Sequence, residues 1–359
     1  MPIKSKPQDV HFGLIPDKLI EMILLQYGIK AWSILPFFSL NKTVMDLNQR
    51  TDTSRKVLLR INRKVYFLKE FPWYCSKKSF IKTELDFMDF LHRHNFPVPH
   101  IVRTTKGNLF STIKGKYYAL FKFVDGKSWS KSKLEAYNAG MFLGNMHKLS
   151  LLYLKSHKNR MNEIGGHVFD HAKKFLNLAN NYFKISFTKT KIFKEYLNFS
   201  YKLLLKSRLS AAKKGYFSLK LPIHGDFNPF NMVFSKDKDI LTIMDFDNFC
   251  FDNPAHDIAE GLIRFSYLKF AKLTSNYEQV PDVYNRESAT AFIKGYKKTN
   301  KEAYDNLRKY LPEACIALAI EFSALGILCG YYPQNKIYKL LHSIKKSESS
   351  TYNIMKEFK

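Results

Sequence analysis

Apolar positions recur along this chain at two periods, and the change of period divides it. Over Asp17 to Gly28 (DKLIEMILLQYG) they keep helical spacing, with Gly28 as the stop. From Ala31 to about Phe71 the spacing becomes that of strands. VLLRI (57–61) and VYFLKEF (65–71) flank Asn62-Arg63-Lys64 in a hairpin pattern, behind a polar, turn-like stretch at 48–55. Residues 78–94 return to helix, with Phe80, Ile81, Leu85, Met88 and Leu91 on one side. That helix stops before Phe96-Pro97-Val98-Pro99, where proline forces extended backbone. LFSTI (109–113) and YYALFKFV (117–124) are two more strands, joined around Lys114-Gly115-Lys116. Beyond Asp125-Gly126 the pattern is mainly helical, with helices over 132–150 and 191–214 and again from about Pro254. One exception interrupts it: LPIHGDFNPFNMVF (221–234) and ILTIMDFDNF (240–249) are short apolar stretches around a turn at 236–239. The order predicts an α+β protein. An N-lobe over 1–124 combines an antiparallel sheet with a packed helix, and a mainly helical C-lobe over 125–359 carries the hairpin 221–249.

Composition narrows the class. A length of 359 residues suits two domains or one domain with two lobes. With 31 Phe and 21 Tyr the chain can bury a large core, which excludes wholesale disorder. Four scattered cysteines, none in a CxxC pair, exclude a disulfide scaffold and a cysteine zinc site. The charge of +27 admits an anionic partner, and so does the stretch 184–220, with ten basic residues and one acid (Glu195). A solvated, lysine-rich surface explains the same numbers. The start, MPIKSKPQDVHFGLIP, has no apolar core of signal-peptide length. The apolar stretch Ala314 to Cys329 contains Glu321 and is shorter than the ~20 residues of a membrane span. The expectation is therefore a buried helix, no membrane span and a cytoplasmic protein.

The chemistry concentrates in His224-Gly225-Asp226-Phe227-Asn228-Pro229-Phe230-Asn231, between two apolar stretches. Asp226 and Asn231 are separated by a proline, so they occupy a tight loop and not one helical face. Downstream, ILTIMDFD places Asp245 at the end of an apolar strand. Hard oxygen donors of this kind suit Mg2+, and an acid outside the metal shell can take a proton from a hydroxyl. Phosphoryl transfer needs that combination. On the strand VYFLKEF, Lys69 shares a face with Phe67 and Phe71 and requires an anionic partner if packed; Glu84 is a candidate, with Lys82 and Glu70 as substitutes in the pair.

HGDFNPFN, then IMDFD, then DNPAHDIA (252–259) resembles the aminoglycoside phosphotransferase family, which includes choline kinase-like and homoserine kinase-like enzymes. The N-terminal half, from LKEFPWYCSKKSFIKTEL through the PVP segment to YYALFKFVDGKSW, is similar too. The resemblance implies a bilobal protein kinase-like fold and ATP with Mg2+ as cofactors. Asp226 would position and deprotonate the acceptor hydroxyl, and Asn231 and Asp245 would hold Mg2+. Lys69 would meet the α/β-phosphates, oriented by an ion pair with Glu84, and the backbone of Phe121 to Phe123 would meet adenine. The stretch 48–55 has no glycine to let backbone approach phosphate, so Thr51, Thr53 and Ser54 could offer hydroxyls and amides instead, with Thr53 and Ser54 as its candidate ligands. Asn228 and Phe230 stand where the family often has His and Gly. His224 is expected to organise the loop, Asp257 to brace it, Asp247 to touch a second metal position or to bond locally, and His147 to be a packed core histidine.

The resulting reading is a kinase acting on a hydroxyl of a small molecule, such as an amino alcohol, homoserine or an antibiotic. Asp252, Glu260 and Glu321 are candidate acids for the acceptor site. A kinase of a peptide or protein hydroxyl, as in spore-coat-type kinase-like proteins, is the alternative. A third reading is a non-catalytic nucleotide- or nucleic-acid-binding module, which the basic charge favours.

Overall fold

The computed structural model describes residues 15–35, 55–72, 77–157, 167–186, 191–266 and 285–328, with 337–338, 341–342 and 344–345. In chain order the elements begin α1 (Asp17–Leu25), β1 (Ser33–Ile34), β2 (Lys56–Ile61), β3 (Lys64–Glu70), α2 (Lys78–Arg93), β4 (Ile101–Val102), β5 (Ser111–Ile113) and β6 (Lys116–Lys122). There follow α3 (Lys133–Ser156), α4 (Val168–Ser186), α5 (Lys191–Lys213), β7 (Leu221–Ile223), β8 (Met232–Phe234), β9 (Ile240–Ile243) and β10 (Cys250–Asp252). The last are α6 (Ala255–Ser266), α7 (Arg286–Leu307) and α8 (Leu311–Leu328). The chain divides into two compact units. One comprises 1–128 with 232–236 and 241–247, the other 129–231, 237–240 and 248–359.

The first unit is built on one antiparallel sheet, ordered β1-β2-β3-β6-β4, with β5 also on β6. Its alternation is strict. Val57, Leu59, Ile61, Leu68, Tyr118 and Leu120 point to one face and bury against Ile20, Ile23 and Leu24 of α1. The opposite face carries Leu58, Phe67 and Phe121 beside two lysines, Lys56 and Lys69. The β2–β3 hairpin closes on two residues, Asn62 and Arg63, both with positive φ (49° and 64°). A two-residue turn of that hand matches the twist of the flanking strands, so the three-residue turn read from the sequence is one residue too long. This sets the register: Ile61 faces Lys64, and Lys56 faces Lys69. β8 and most of β9 belong to this unit, where the linear pattern assigned them to the helical half. Lys127 and Phe234 exchange backbone hydrogen bonds of 2.7 and 2.8 Å there.

The second unit is helical around a small β7–β10 pair, in which Ile223 faces Cys250. α3 starts on a capping box: Glu135 N donates to Ser132 Oγ, and Ser132 N donates to Glu135 Oε2, each at 3.1 Å. α3 and α7 cross closely, because a Cβ on Gly140 would lie 2.0 Å from the Phe292 carbonyl oxygen. That crossing brings Tyr296 of α7 to His147 of α3. α8 is the buried helix that the sequence predicts. Arg286–Leu328 includes a stretch long and apolar enough to cross a membrane, but 78% of it is buried in the unit, as in a core helix. Part of the basic stretch is spent locally: Lys214 pairs with the buried Glu313 at 2.6 Å and Arg208 with Asp170 at 2.8 Å.

Candidate functional site

The lysine face of the sheet opens into a cleft with ≈ 740 Å³ of empty volume. Leu58, Phe67, Met88, Phe121, Phe123 and Phe246 make an apolar slot, and Lys56, Lys69, Glu84 and Asp245 make a charged end. An apolar slot with a few fixed polar groups is the usual form of a small-molecule site. Asp245 follows β9 with left-handed backbone (φ 64°), a conformation that aspartate tolerates better than most residues. Its Oδ1 accepts from Lys69 Nζ at 3.1 Å and its Oδ2 from Lys56 Nζ at 3.3 Å. Lys69 also pairs with Asp247.

The electrostatics follow from burial. Burial opposes the charge of Asp245, but the Lys56 and Lys69 ammoniums hold its carboxyl below the ordinary carboxylate range. Burial also works against Lys69, yet Asp247 and Asp245 keep it protonated, above the ordinary lysine range. For Glu84 burial prevails and pushes the carboxyl well up. Burial also pushes the Asp247 carboxyl up, against the pull of the Lys69 ammonium. The expected ion pair is corrected: Lys69 is paired with Asp245 and Asp247, not with Glu84, whose Oε2 is buried without a hydrogen-bond partner. The substitutes are engaged elsewhere, Lys82 with Asp86, and Glu70 with Arg55 and Lys116. Asp247 reaches from its turn to β3, where the sequence suggested a second metal position or a local bond.

Phe121 and Phe123 line the slot, and Phe121 packs on Phe67 with ring centroids 5.7 Å apart. The backbone expectation for this stretch is narrowed. Lys122 N already donates to His100 O at 2.9 Å and Phe123 N to Val65 O at 3.1 Å. Those two amides are therefore already engaged within the unit. Thr53 and Ser54 lie outside the described residues.

In the helical unit, β7 runs into the loop His224–Asn231. Gly225 turns it at φ 75°, and a Cβ there would lie 2.1 Å from the Asn248 carbonyl oxygen. Phe227 anchors the loop in the core, packed on Phe265 and Phe292 at 6.3 Å. The half-buried Asp226 is held by two amides: Asn228 Nδ2 donates to Oδ1 at 2.7 Å and Asn231 Nδ2 to Oδ2 at 2.9 Å. Asn231 therefore presents its side-chain oxygen as the group open to a hard cation. Asp226 N donates to His224 Nδ1 at 3.3 Å, the loop-organising role expected of that histidine.

Asp257, at the start of α6, braces this loop as expected. It is fully buried and accepts from His224 N and Gly225 N, each at 2.9 Å. Burial opposes its charge, but the hydrogen bond from His147 and the nearby imidazoles hold its carboxyl below the ordinary range. His147 is thus more than a packed core residue: Nε2 faces Asp257 at 3.4 Å and Nδ1 shares a hydrogen bond with Tyr296 OH at 2.8 Å. Asp252 is no acceptor-site acid. It is buried, accepts from Val168 N at 3.1 Å and holds His256 at 3.1 Å. Glu260 is buried beside Arg264 at 3.5 Å, and burial pushes Glu321 up to about 7. Sequence reasoning missed Lys56 and the positioning part of Asn228. Asn228 sits inside the motif, and Lys56 needs the hairpin register to be seen.

Among the described residues, no group of three or more His, Cys, Asp or Glu is placed to hold a metal by itself. A cation taken by one or two protein oxygens with phosphates completing the shell, as Mg2+ commonly is, asks only for a donor such as Asp245 at the charged end of the cleft. The charged end and the apolar slot fit a phosphorylated base.

Comparison with known proteins places the chain. No curated protein sequence matches it. Solved structures do match over nearly their whole length. An aminoglycoside phosphotransferase from Alicyclobacillus acidocaldarius shares 11% identity over 99% of this chain and 98% of its own, with a TM-score of 0.62. An amicoumacin kinase solved with AMP-PNP, Ca2+ and Ami shares 13% identity over 93% of this chain and 92% of its own, at 0.58. A microcompartment-associated aminopropanol kinase shares 13% over 95% and 98%, at 0.57. At such identity the likeness is one of fold, and the fold is kinase-like, with an antiparallel sheet region followed by a helical region. The phosphotransferase enzyme family model matches residues 49–277, which contain the lysine cleft, the Asp226 loop and its Asp257 brace. The chain belongs to the phosphotransferase enzyme family.

Proposed function

We propose that this protein transfers the γ-phosphate of ATP to a hydroxyl of a small molecule, with Mg2+ as the cation. The observation that carries the reading is the holding of Asp226: two amide donors fix its two carboxylate oxygens, and each oxygen keeps a lone pair for a further hydrogen bond. Nothing in a merely structural turn requires a half-exposed carboxylate to be held from both sides. Asp226 orients the acceptor hydroxyl and takes its proton as that oxygen bonds to phosphorus and the bond from phosphorus to the ADP oxygen breaks. Lys69 is the phosphate-binding cation of the cleft, and the slot lined by Phe121 and Phe123 receives the base. Asp245 and the Asn231 side-chain oxygen are the proposed cation donors. A bound Mg2+ supplies charge neutralisation at the phosphate oxygens. Kinase-fold relatives that act on an amino alcohol or bind an antibiotic support a small acceptor over a peptide.

The test is ADP release from ATP and Mg2+ against a panel of amino alcohols, homoserine, aminoglycosides and a hydroxyl-bearing peptide mixture. Wild type is expected to turn over with a small acceptor. Asp226→Asn is expected to lose at least about a hundredfold in kcat, the lower end for a general base, while ATP affinity measured by calorimetry stays within about threefold. Turnover that survives in Asp226→Asn refutes the assigned base, and turnover with peptide alone favours the protein-kinase alternative.

A further inference from the structure

We infer that Tyr296 is a positioning residue for the proposed transfer: its hydroxyl fixes the tautomer of His147 and, through Asp257, the loop that carries Asp226. The inference rests on the reading of Asp226 as the base. It starts from donors and acceptors in the dry core of the helical unit. Tyr296, His147 and Asp257 are 0%, 2% and 0% exposed. The Tyr296 hydroxyl lies 2.8 Å from His147 Nδ1, its one hydrogen-bond partner among the described residues. A buried hydroxyl proton needs an acceptor, and a ring nitrogen that accepts carries no proton of its own. The imidazole proton therefore sits on Nε2, which faces Asp257 Oδ2 at 3.4 Å and donates to it. The opposite tautomer would leave the phenol proton unmatched and turn a bare nitrogen lone pair on a carboxylate.

The chain of bonds ends at the loop. Asp257 Oδ2 accepts from His224 N and Oδ1 from Gly225 N, each at 2.9 Å, with His147 as the third donor. Burial opposes the charge of Asp257, and the bond from His147 is foremost among the influences that hold it. The two amides belong to the residues that immediately precede Asp226. Tyr296 is itself fixed from both sides. A Cβ on Gly295 would lie 2.0 Å from the Tyr137 carbonyl oxygen, so α7 packs on α3 backbone to side of it. Further along α7, Thr299 Oγ1 donates to Met141 O at 3.1 Å and Asn300 Nδ2 to Gly144 O at 3.2 Å, where α7 leaves helical geometry (Asn300 φ −144°, ψ 61°). Tyr296→Phe keeps the ring and this crossing and removes only the oxygen.

The experiment joins NMR of protein carrying nitrogen-labelled histidine with steady-state kinetics. It uses wild type, Tyr296→Phe, His147→Gln and the double variant, with whichever small acceptor the wild type phosphorylates. His147→Gln assigns the His147 signal, and its amide donates to Asp257 with no tautomer to be set. The expected result near neutral pH is a wild-type His147 protonated on Nε2 alone, a preference that Tyr296→Phe loses. In that variant kcat falls about tenfold, short of the roughly hundredfold of a 1 Å misplacement, while KM for ATP stays within about twofold. In the His147→Gln background, adding Tyr296→Phe changes kcat by less than about twofold. A proton on Nδ1 in wild type overturns the inference, as does a tautomer that Tyr296→Phe leaves unchanged. So does an unchanged kcat in Tyr296→Phe, or a tenfold loss that recurs in the His147→Gln background and so marks packing. If His147→Gln does not fold, the tautomer and kcat of Tyr296→Phe decide alone. In each of these failures the wild type still transfers phosphate. A wild type that transfers phosphate to no acceptor is the failure of the Asp226 reading, and the positioning role falls with it.

Discussion

Asp257→Asn tests how the Asp226 loop is held, because it keeps the size of the side chain and changes only charge and acceptor count. The wild-type carboxylate accepts from His224 N and Gly225 N at 2.9 Å and faces His147 Nε2 at 3.4 Å, with no exposure to water. A carboxamide has one acceptor oxygen. Whichever way it flips, its NH2 meets one of the two backbone N–H groups, and that donor is orphaned. An orphaned buried donor costs about 1–3 kcal/mol, and a hydrogen bond to a charged acceptor contributes about 1.5–3 kcal/mol. The expected loss is about 3–5 kcal/mol at pH 7, at the exceptional end for one substitution. Urea unfolding at a series of pH values measures it. Because the Asp257 carboxyl is held below its ordinary range, its contribution is complete above the unfolded-state value of about 4 and is lost as pH falls through the lower folded value. The gap between wild type and variant should therefore close in acid. A gap below about 1 kcal/mol at pH 7, or one that widens below about pH 4, refutes the brace.

Two further outcomes follow from buried charge. Lys69→Met leaves Asp245 and Asp247 short of a cation, so it should cost about 3–5 kcal/mol in urea unfolding, and Lys69→Met with Asp247→Asn should recover part of that; equal losses would remove charge compensation as the cause. For His256, burial opposes the cation, yet the bond to Asp252 holds the imidazole up to about 9. That pair stabilises fully below about pH 6.5 and fades as pH rises through 9, so the advantage of wild type over His256→Asn should shrink by about 2–3 kcal/mol between pH 6 and 10; a constant gap refutes the pair.

The elements were legible where period was strong. α1, α2, β3 and β6 fall close to where apolar spacing puts them, since each buries one clear face. The Asp226 loop was legible as a motif, because its residues are adjacent in sequence. What the sequence hid was partnership. Glu84 and Asp247 are both plausible anions for Lys69 on paper, and only burial and the path of the turn after β9 decide between them. Lys56 was hidden by one residue of turn length. With three residues between the strands, Val57 faces Lys69; with two, Lys56 does. His147 and Tyr296 were opaque for another reason. They lie 149 positions apart, and the glycine-mediated crossing of α3 and α7 joins them.

The discontinuous make-up of the sheet unit bears on how the gene can be cut. Asp245 and Asp247 are distant in sequence from the strands whose lysine they neutralise, yet they belong to the same compact unit. A fragment ending at residue 124 would keep every strand of the sheet and lose both of these counter-ions. Lys69 would then keep its charge with neither of the two carboxylates that neutralise it in the whole unit. Truncation screens, split-protein reporters and domain swaps designed on the linear boundary would remove charge balance along with the packing of Phe246 on Phe87. Replacing Lys69 with a neutral residue would relieve the electrostatic part of that failure.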